Sequence, residues 1–164
     1  MSQLFGRMLA IAFICLSMVA CEKEELLNET PINDVALSYE AIELEVLDLV
    51  NNYRNEIGLP TLSLLNLVSK EAESHSIYMV KQGLLSHDNF DVRTKNLIDK
   101  TDAISIAENV GFGYNTAETL FESWLNSPSH SKNFEAKRYT HIGISAKKNS
   151  NGIYYVTQIF IERY

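Results

Sequence analysis

His87, Glu108 and His130 are the side chains of this sequence best suited to chemistry. Ser86 precedes His87 and Asp88-Asn89 follow it, while Ser129 and Ser131 flank His130. Such polar stretches read as loops, and loops held by a rigid scaffold carry a disproportionate share of function. Glu108 stands between the apolar alternation of Ile104 and Ile106 and the segment Asn109-Val110-Gly111. Two imidazoles and one carboxylate, with a fourth position open, match the donor set of a catalytic zinc site. The same groups could move protons to and from water without a metal. They lie far apart along the chain, so spacing alone does not bring them together. The other two histidines read as structural: His75 falls within an apolar helical stripe, and His141 opens a strand beside Gly143. Serine chemistry has no support, because the serines near His87 and His130 show no triad context.

The elements that must position these groups follow from periodicity. Ile42, Val46, Leu49, Val50, Tyr53 and Ile57 recur at helical spacing, which predicts a helix over 39–57, capped by Ser38 and stopped by Gly58 and Pro60. Leu64, Val68, Ala72, His75 and Met79 predict a second helix over 64–82, with Ser63 as cap and Gly83 as its terminal glycine. Residues 84–90 fit neither period and read as a loop, followed by a short helix over 92–100. Residues 104–113 begin as a strand and end in glycines. Asn115 is expected to cap a helix over 116–126, with Glu118 as its capping-box partner. Ser127-Pro128 then breaks that helix and starts a short turn or helix through His130 and Phe134. A hairpin closes the chain: a strand over 141–146, the turn Asn149-Ser150-Asn151-Gly152, and a return strand over 153–161. This order suggests helices packed on a small antiparallel sheet. Trp124 reads as core, and Asn109 as a residue that fixes its loop's backbone.

The 164 residues suffice for one domain, and a composition 46% hydrophobic and 21% charged supports a packed core. Residues 1–20 stand apart. Arg7 and the apolar run over 8–20 have the form of a secretory leader, and the run is shorter than the roughly 20 residues a spanning helix needs. It ends in Met18-Val19-Ala20-Cys21, which resembles a lipobox. That resemblance implies cleavage before Cys21 and acylation of that cysteine. Cys15 leaves with the leader, so the mature chain keeps no thiol, no disulfide and no cysteine ligand. Several acyl chains give stable anchoring where one alone is marginal. Residues 21–38, opening with Glu22-Lys23-Glu24-Glu25 after the cysteine, read as an acidic polar tether, and the domain is expected over 39–164. A lysine followed by acidic residues also resembles the surface-export signal of some Gram-negative lipoproteins. Loss of Arg7 changes the balance from 14 basic against 21 acidic residues to 13 against 21. An acidic domain is a poor nucleic-acid binder. Its overall charge slightly favours a cationic partner over an acidic one.

Six segments, in order, resemble the CAP superfamily: the cysteine-rich secretory proteins, insect antigen 5 and plant pathogenesis-related 1 proteins, with many bacterial relatives. They are Leu49-Val50-Asn51-Asn52-Tyr53-Arg54 with Gly58-Leu59-Pro60, then Ser86-His87 with Phe90, then Ala107-Glu108-Asn109-Val110. Trp124-Leu125-Asn126-Ser127-Pro128-Ser129-His130, Ile142-Gly143-Ile144 and Tyr155-Val156-Thr157-Gln158-Ile159-Phe160 complete the set. The resemblance implies an α+β fold, a three-layer α–β–α sandwich with a small antiparallel sheet flanked by helices, and a central cleft. In animal and plant members that cleft holds two histidines and two glutamates, sometimes with a divalent metal. Carried over, the first histidine falls on His87 and the first glutamate on Glu108. The second glutamate's place is Ser127 and the second histidine's is Tyr155. Bacterial relatives carry instead the histidine that here is His130.

These readings predict a lipid-anchored, extracytoplasmic CAP-domain protein of the cell envelope, on the outer membrane or cell surface, tied to the membrane through Cys21. Its cleft of His87, Glu108 and His130 is expected to bind a small ligand, a lipid or a surface component. The alternative is peptidase-like, metal-assisted hydrolysis, with the same three residues as catalytic groups and as ligands of one zinc ion. A third reading is a purely structural module. Nucleic acid is not an expected partner, and the protein is expected to be a monomer.

Overall fold

The computed structural model describes residues 32–163. The leader, Cys21 and the first part of the tether lie outside the described residues. The elements run α1 (Ala41–Glu56), β1 (Ser63–Leu64), α2 (Asn66–Gln82), α3 (Phe90–Thr101), β2 (Ser105–Phe112), α4 (Ala117–Leu125), α5 (Pro128–Phe134), β3 (His141–Lys148) and β4 (Tyr154–Glu162). The predicted hairpin forms, with Gly152 taking a positive φ in its turn. β2 lies antiparallel along the free side of β4, and β1 pairs in parallel with β3, giving the order β1-β3-β4-β2. The sheet is therefore mixed, where the sequence suggested purely antiparallel strands.

Alternation along the strands divides the core into two layers. Ile142, Ile144, Val156 and Phe160 face Val46 and Val50 of α1, Leu120 and Trp124 of α4, and Phe134 of α5. Ile159 and Ile161 face Val68 and Ala72 of α2 and Leu97 of α3. The expected three-layer α–β–α sandwich is the result. Beyond the short β1, β3 has no strand partner on that side among the described residues. Ser69 Oγ accepts from Ile144 N at 3.1 Å and Glu43 Oε1 accepts from Ala146 N at 2.7 Å, so side chains cover the edge.

Several element boundaries differ from the expected ones, and at α1, α2 and α4 a competing contact explains the difference. Glu40, not Ser38, caps α1, through a reciprocal capping box with Glu43. Ser63 and Leu64 are taken by β1, so α2 starts at Asn66. Its cap comes from far upstream: the Asp34 carboxylate accepts from Asn66 N at 3.0 Å and Leu67 N at 2.8 Å. Asn66 Nδ2 donates to Val35 O, and the Tyr39 hydroxyl donates to Asn66 Oδ1 and lies 2.8 Å from Ser69 Oγ. The end of the expected tether is thus fastened to the domain from Asp34 onward. α3 starts at Phe90, earlier than the expected 92. Thr116, not Asn115, caps α4 by accepting from Thr119 N.

β2 does not stop at Glu108 but continues through Gly111 to Phe112. Gly111 serves close packing, because a Cβ there would lie 2.5 Å from Leu120 Cδ1. Gly143 is tighter still: its Cβ would lie 2.3 Å from Ser69 N and 2.4 Å from the Val68 carbonyl carbon. These are backbone atoms of α2, which can yield only if the helix moves. Gly143→Ala is expected to lower stability by about 3 kcal/mol. The denaturant midpoint measures it, and an unchanged midpoint would mean that α2 sits further from the sheet.

Candidate functional site

Glu108 and Asn109 are consecutive residues of an edge strand, so their side chains leave on opposite faces of the sheet. Glu108 turns toward α2 and α3. Arg93 grips its carboxylate with two bonds, Nε to Oε2 at 2.8 Å and Nη2 to Oε1 at 2.7 Å. His87 Nδ1 lies 2.8 Å from the same Oε1. Arg93 also donates from Nη1 to Asp88 O at 2.6 Å, which ties the His87 loop to α3. The Glu108 side chain is 1% exposed, while that of His87 is 53% exposed above it. Burial alone would raise the Glu108 pKa. The His87 and Arg93 hydrogen bonds and the Arg93 charge outweigh burial and hold it below the usual glutamate value.

An ionised carboxylate only accepts, so the proton of the His87–Glu108 bond sits on His87 Nδ1 and leaves Nε2 toward the solvent. His75 is buried, as its apolar stripe suggested. Its Nε2 lies 2.7 Å from Ser86 O and therefore carries the ring proton. Burial keeps its pKa below the usual histidine value. His75 thus fastens the loop that presents His87.

On the other face, Asn109 is fully buried. Its Nδ2 donates to His130 O and to Gln158 Oε1, both at 3.3 Å, and its Oδ1 accepts from Asn133 Nδ2 at 2.7 Å. Asn109 therefore fixes the backbone of α5 rather than that of its own segment. His130 lies on α5, not in a loop. Its ring stacks on Trp124 with centroids 6.5 Å apart, and Trp124 is core, donating from Nε1 to Val110 O at 3.1 Å. Ser127 Oγ lies 2.8 Å from His130 Nδ1. The residue in the place of the second family glutamate thus holds the histidine characteristic of bacterial relatives. Tyr155, in the place of the second family histidine, is buried with Met79 and Val110 and packs on Phe112 at 4.5 Å. That place is apolar core here.

A groove of about 430 Å³ crosses β2 between the two faces. His87 and Phe90 form one wall, Lys132 and Asn133 of α5 the other, and Glu108 lies in the floor. His87 and Glu108 are in direct contact. His130 bonds to neither and does not line the groove, although its chain neighbour Ser129 does; burial, and then the charges of His87 and Lys132, hold its pKa below the usual value.

Among the described residues, no group of three or more His, Cys, Asp and Glu side chains is disposed to hold a metal ion. The donor chemistry gives the reason: both Glu108 oxygens are committed to the Arg93 guanidinium, a cation in the position a metal would need. His87, Glu108 and His130 as three ligands of one zinc do not fit that arrangement. Sequence reasoning missed Arg93, Lys132 and Asn133. Arg93 carried a signal, because it falls on the inward stripe of α3 with Leu97 and Thr101. A lone cation in such a stripe calls for a buried anion.

A three-layer sandwich with a histidine–glutamate pair over its edge strand is the architecture that the CAP resemblance implied. The sequence matches the Cysteine-rich secretory protein family (CAP) over residues 47–160, and the chain belongs to that family. It is 31% identical over 110 residues to the uncharacterized protein YkwD of Bacillus subtilis, a match covering 65% of this chain and 43% of that protein. The chain thus spans less than half the length of this relative. Three solved structures share the fold. An outer surface protein from Borrelia burgdorferi has a TM-score of 0.65 at 21% identity, covering 73% of this chain and 90% of that one. An extracellular SCP-domain protein from Bacillus anthracis has a TM-score of 0.66 at 22% identity, covering 79% and 45%. A structure of NaASP2 with Zn2+ has a TM-score of 0.55 at 14% identity, covering 79% and 83%. Among the described residues, no helix is long and apolar enough to cross a membrane.

Proposed function

We propose that this is a ligand-binding CAP domain of the cell envelope, anchored by lipid at Cys21, with the groove over β2 as its binding site. The observation that carries the binding reading is the commitment of Glu108. A carboxylate held ionised and fully bonded by Arg93 and His87 is a poor base for activating water. What it does well is orient His87, whose Nε2 is then presented to a ligand. The leader, the lipobox-like Met18-Val19-Ala20-Cys21 and the outer-surface and extracellular relatives support an exported, anchored protein. Cells grown with an alkyne-labelled fatty acid are expected to label the protein, and Cys21→Ser to abolish the label. Retained label would place the lipid elsewhere.

Zinc is a second reading, favoured by one observation. Glu108 bonds the inner nitrogen of His87, as outer carboxylates do for metal-bound imidazoles. With Glu108 committed to Arg93, two imidazoles remain, fewer than the three protein ligands of a catalytic zinc. No step of the proposed function runs through a metal. Protein purified without an affinity tag and supplied with zinc is expected to leave denatured casein uncut. Cleavage abolished by His87→Ala or His130→Ala would replace binding with hydrolysis.

A further inference from the structure

We propose that the groove over β2 takes an anion carried on an apolar body, with a phosphate or carboxylate seated between His87 and Lys132 and the uncharged remainder against Phe90 and Ile106. This rests on the ligand-binding reading above and specifies its ligand. The chain as a whole is acidic, with a net charge of −7, yet the groove lining sets a single acid, Glu108, against Lys132 and His87. Glu108 is the one acid in its lining, and its charge is met from within by Arg93 and His87. Two groups able to carry positive charge then face the opening: the exposed Lys132 and the solvent side of His87.

Two lysines of this surface are held by carboxylates. Lys100 meets Glu71 and Lys147 meets Glu73, each at 2.7 Å. Lys132 has no carboxylate partner among the described residues. A surplus of cationic groups at a concave site attracts anions and discriminates against cations. Ser129 adds a hydroxyl donor beside Lys132, while Phe90 and Ile106 supply apolar surface. The groove volume lies in the range of small-molecule sites.

Trp124 is the sole tryptophan and stacks on His130, the chain neighbour of the groove residue Ser129, so its fluorescence is followed together with amide NMR shifts of the groove residues. The full chain in phosphatidylcholine nanodiscs would be titrated with four probes sharing a phenyl body: phenyl phosphate, benzoate, phenyl glucoside and phenyltrimethylammonium. At least one anion is expected to bind about tenfold more tightly than the neutral and cationic probes, and Lys132→Glu to abolish that preference. The tighter of phenyl phosphate and benzoate identifies the head group. Equal affinity for all charges, preference for the cation, or an unaltered Lys132→Glu variant would overturn the anion assignment and leave a binding groove. Silence from every probe, in fluorescence and in amide NMR shifts alike, would overturn the groove as a binding site.

Discussion

Replacing Arg93 with alanine is expected to lower the stability of this domain by about 3–5 kcal/mol at neutral pH, because it strands a buried carboxylate. The Glu108 side chain is 1% exposed and that of Arg93 7%, so little solvent is at hand to replace the guanidinium. The pH dependence should change sign. In the native chain, the folded Glu108 pKa lies below the usual value. Its contribution is therefore present above the unfolded pKa of about 4.3 and is lost as pH falls through the folded value. Without Arg93, burial dominates and the folded pKa rises above the unfolded one. Stability at this site is then full below about pH 4.3 and drains away as pH increases. Urea midpoints of the two proteins should diverge from acid toward neutral pH. A difference under about 1 kcal/mol at neutral pH would mean that the pair is solvated.

Trp124→Ala is expected to cost about 3–5 kcal/mol. The indole fills the space over Gly111, where an added Cβ would lie 3.3 Å from Cζ2, and it carries the ring of His130. Removing it opens a cavity between α4 and β2 and withdraws the donor from Val110 O. Trp124→Phe keeps most of the volume and loses the hydrogen bond, so it should cost about 1 kcal/mol. Circular dichroism during denaturation measures both. A loss for alanine no larger than that for phenylalanine would show that the indole bulk is not part of the core.

The fold is legible in the sequence because its signals are local. The α2 stripe of Val68, Ala72, His75 and Met79 ends at Gly83 with a positive φ, and the Asn-Gly turn closes a hairpin. The features that escape sequence reading depend on remote partners. Asp34 caps α2 from 32 residues away, and the pairing of β1 with β3 in parallel joins Ser63 to His141. At the site, residue type and family resemblance single out His87 and Glu108, and the two meet. Their third partner, Arg93, is hidden because charge on a helix usually marks a solvated face. The period-two alternation of β2 is equally easy to overlook at Glu108-Asn109, although it sends the two side chains to opposite faces, where Glu108 holds His87 and Asn109 holds α5.

A glutamate that stays ionised and committed is the centre of the proposed function. Titrating the Glu108 side-chain carboxyl by carbon-13 NMR in the full chain tests that directly. A midpoint below the usual glutamate value, accompanied by a protonated His87 Nδ1, is the predicted result. A midpoint raised toward neutrality would contradict it, since such a carboxyl is suited to take a proton from water, and the groove would have to be read as a reaction centre.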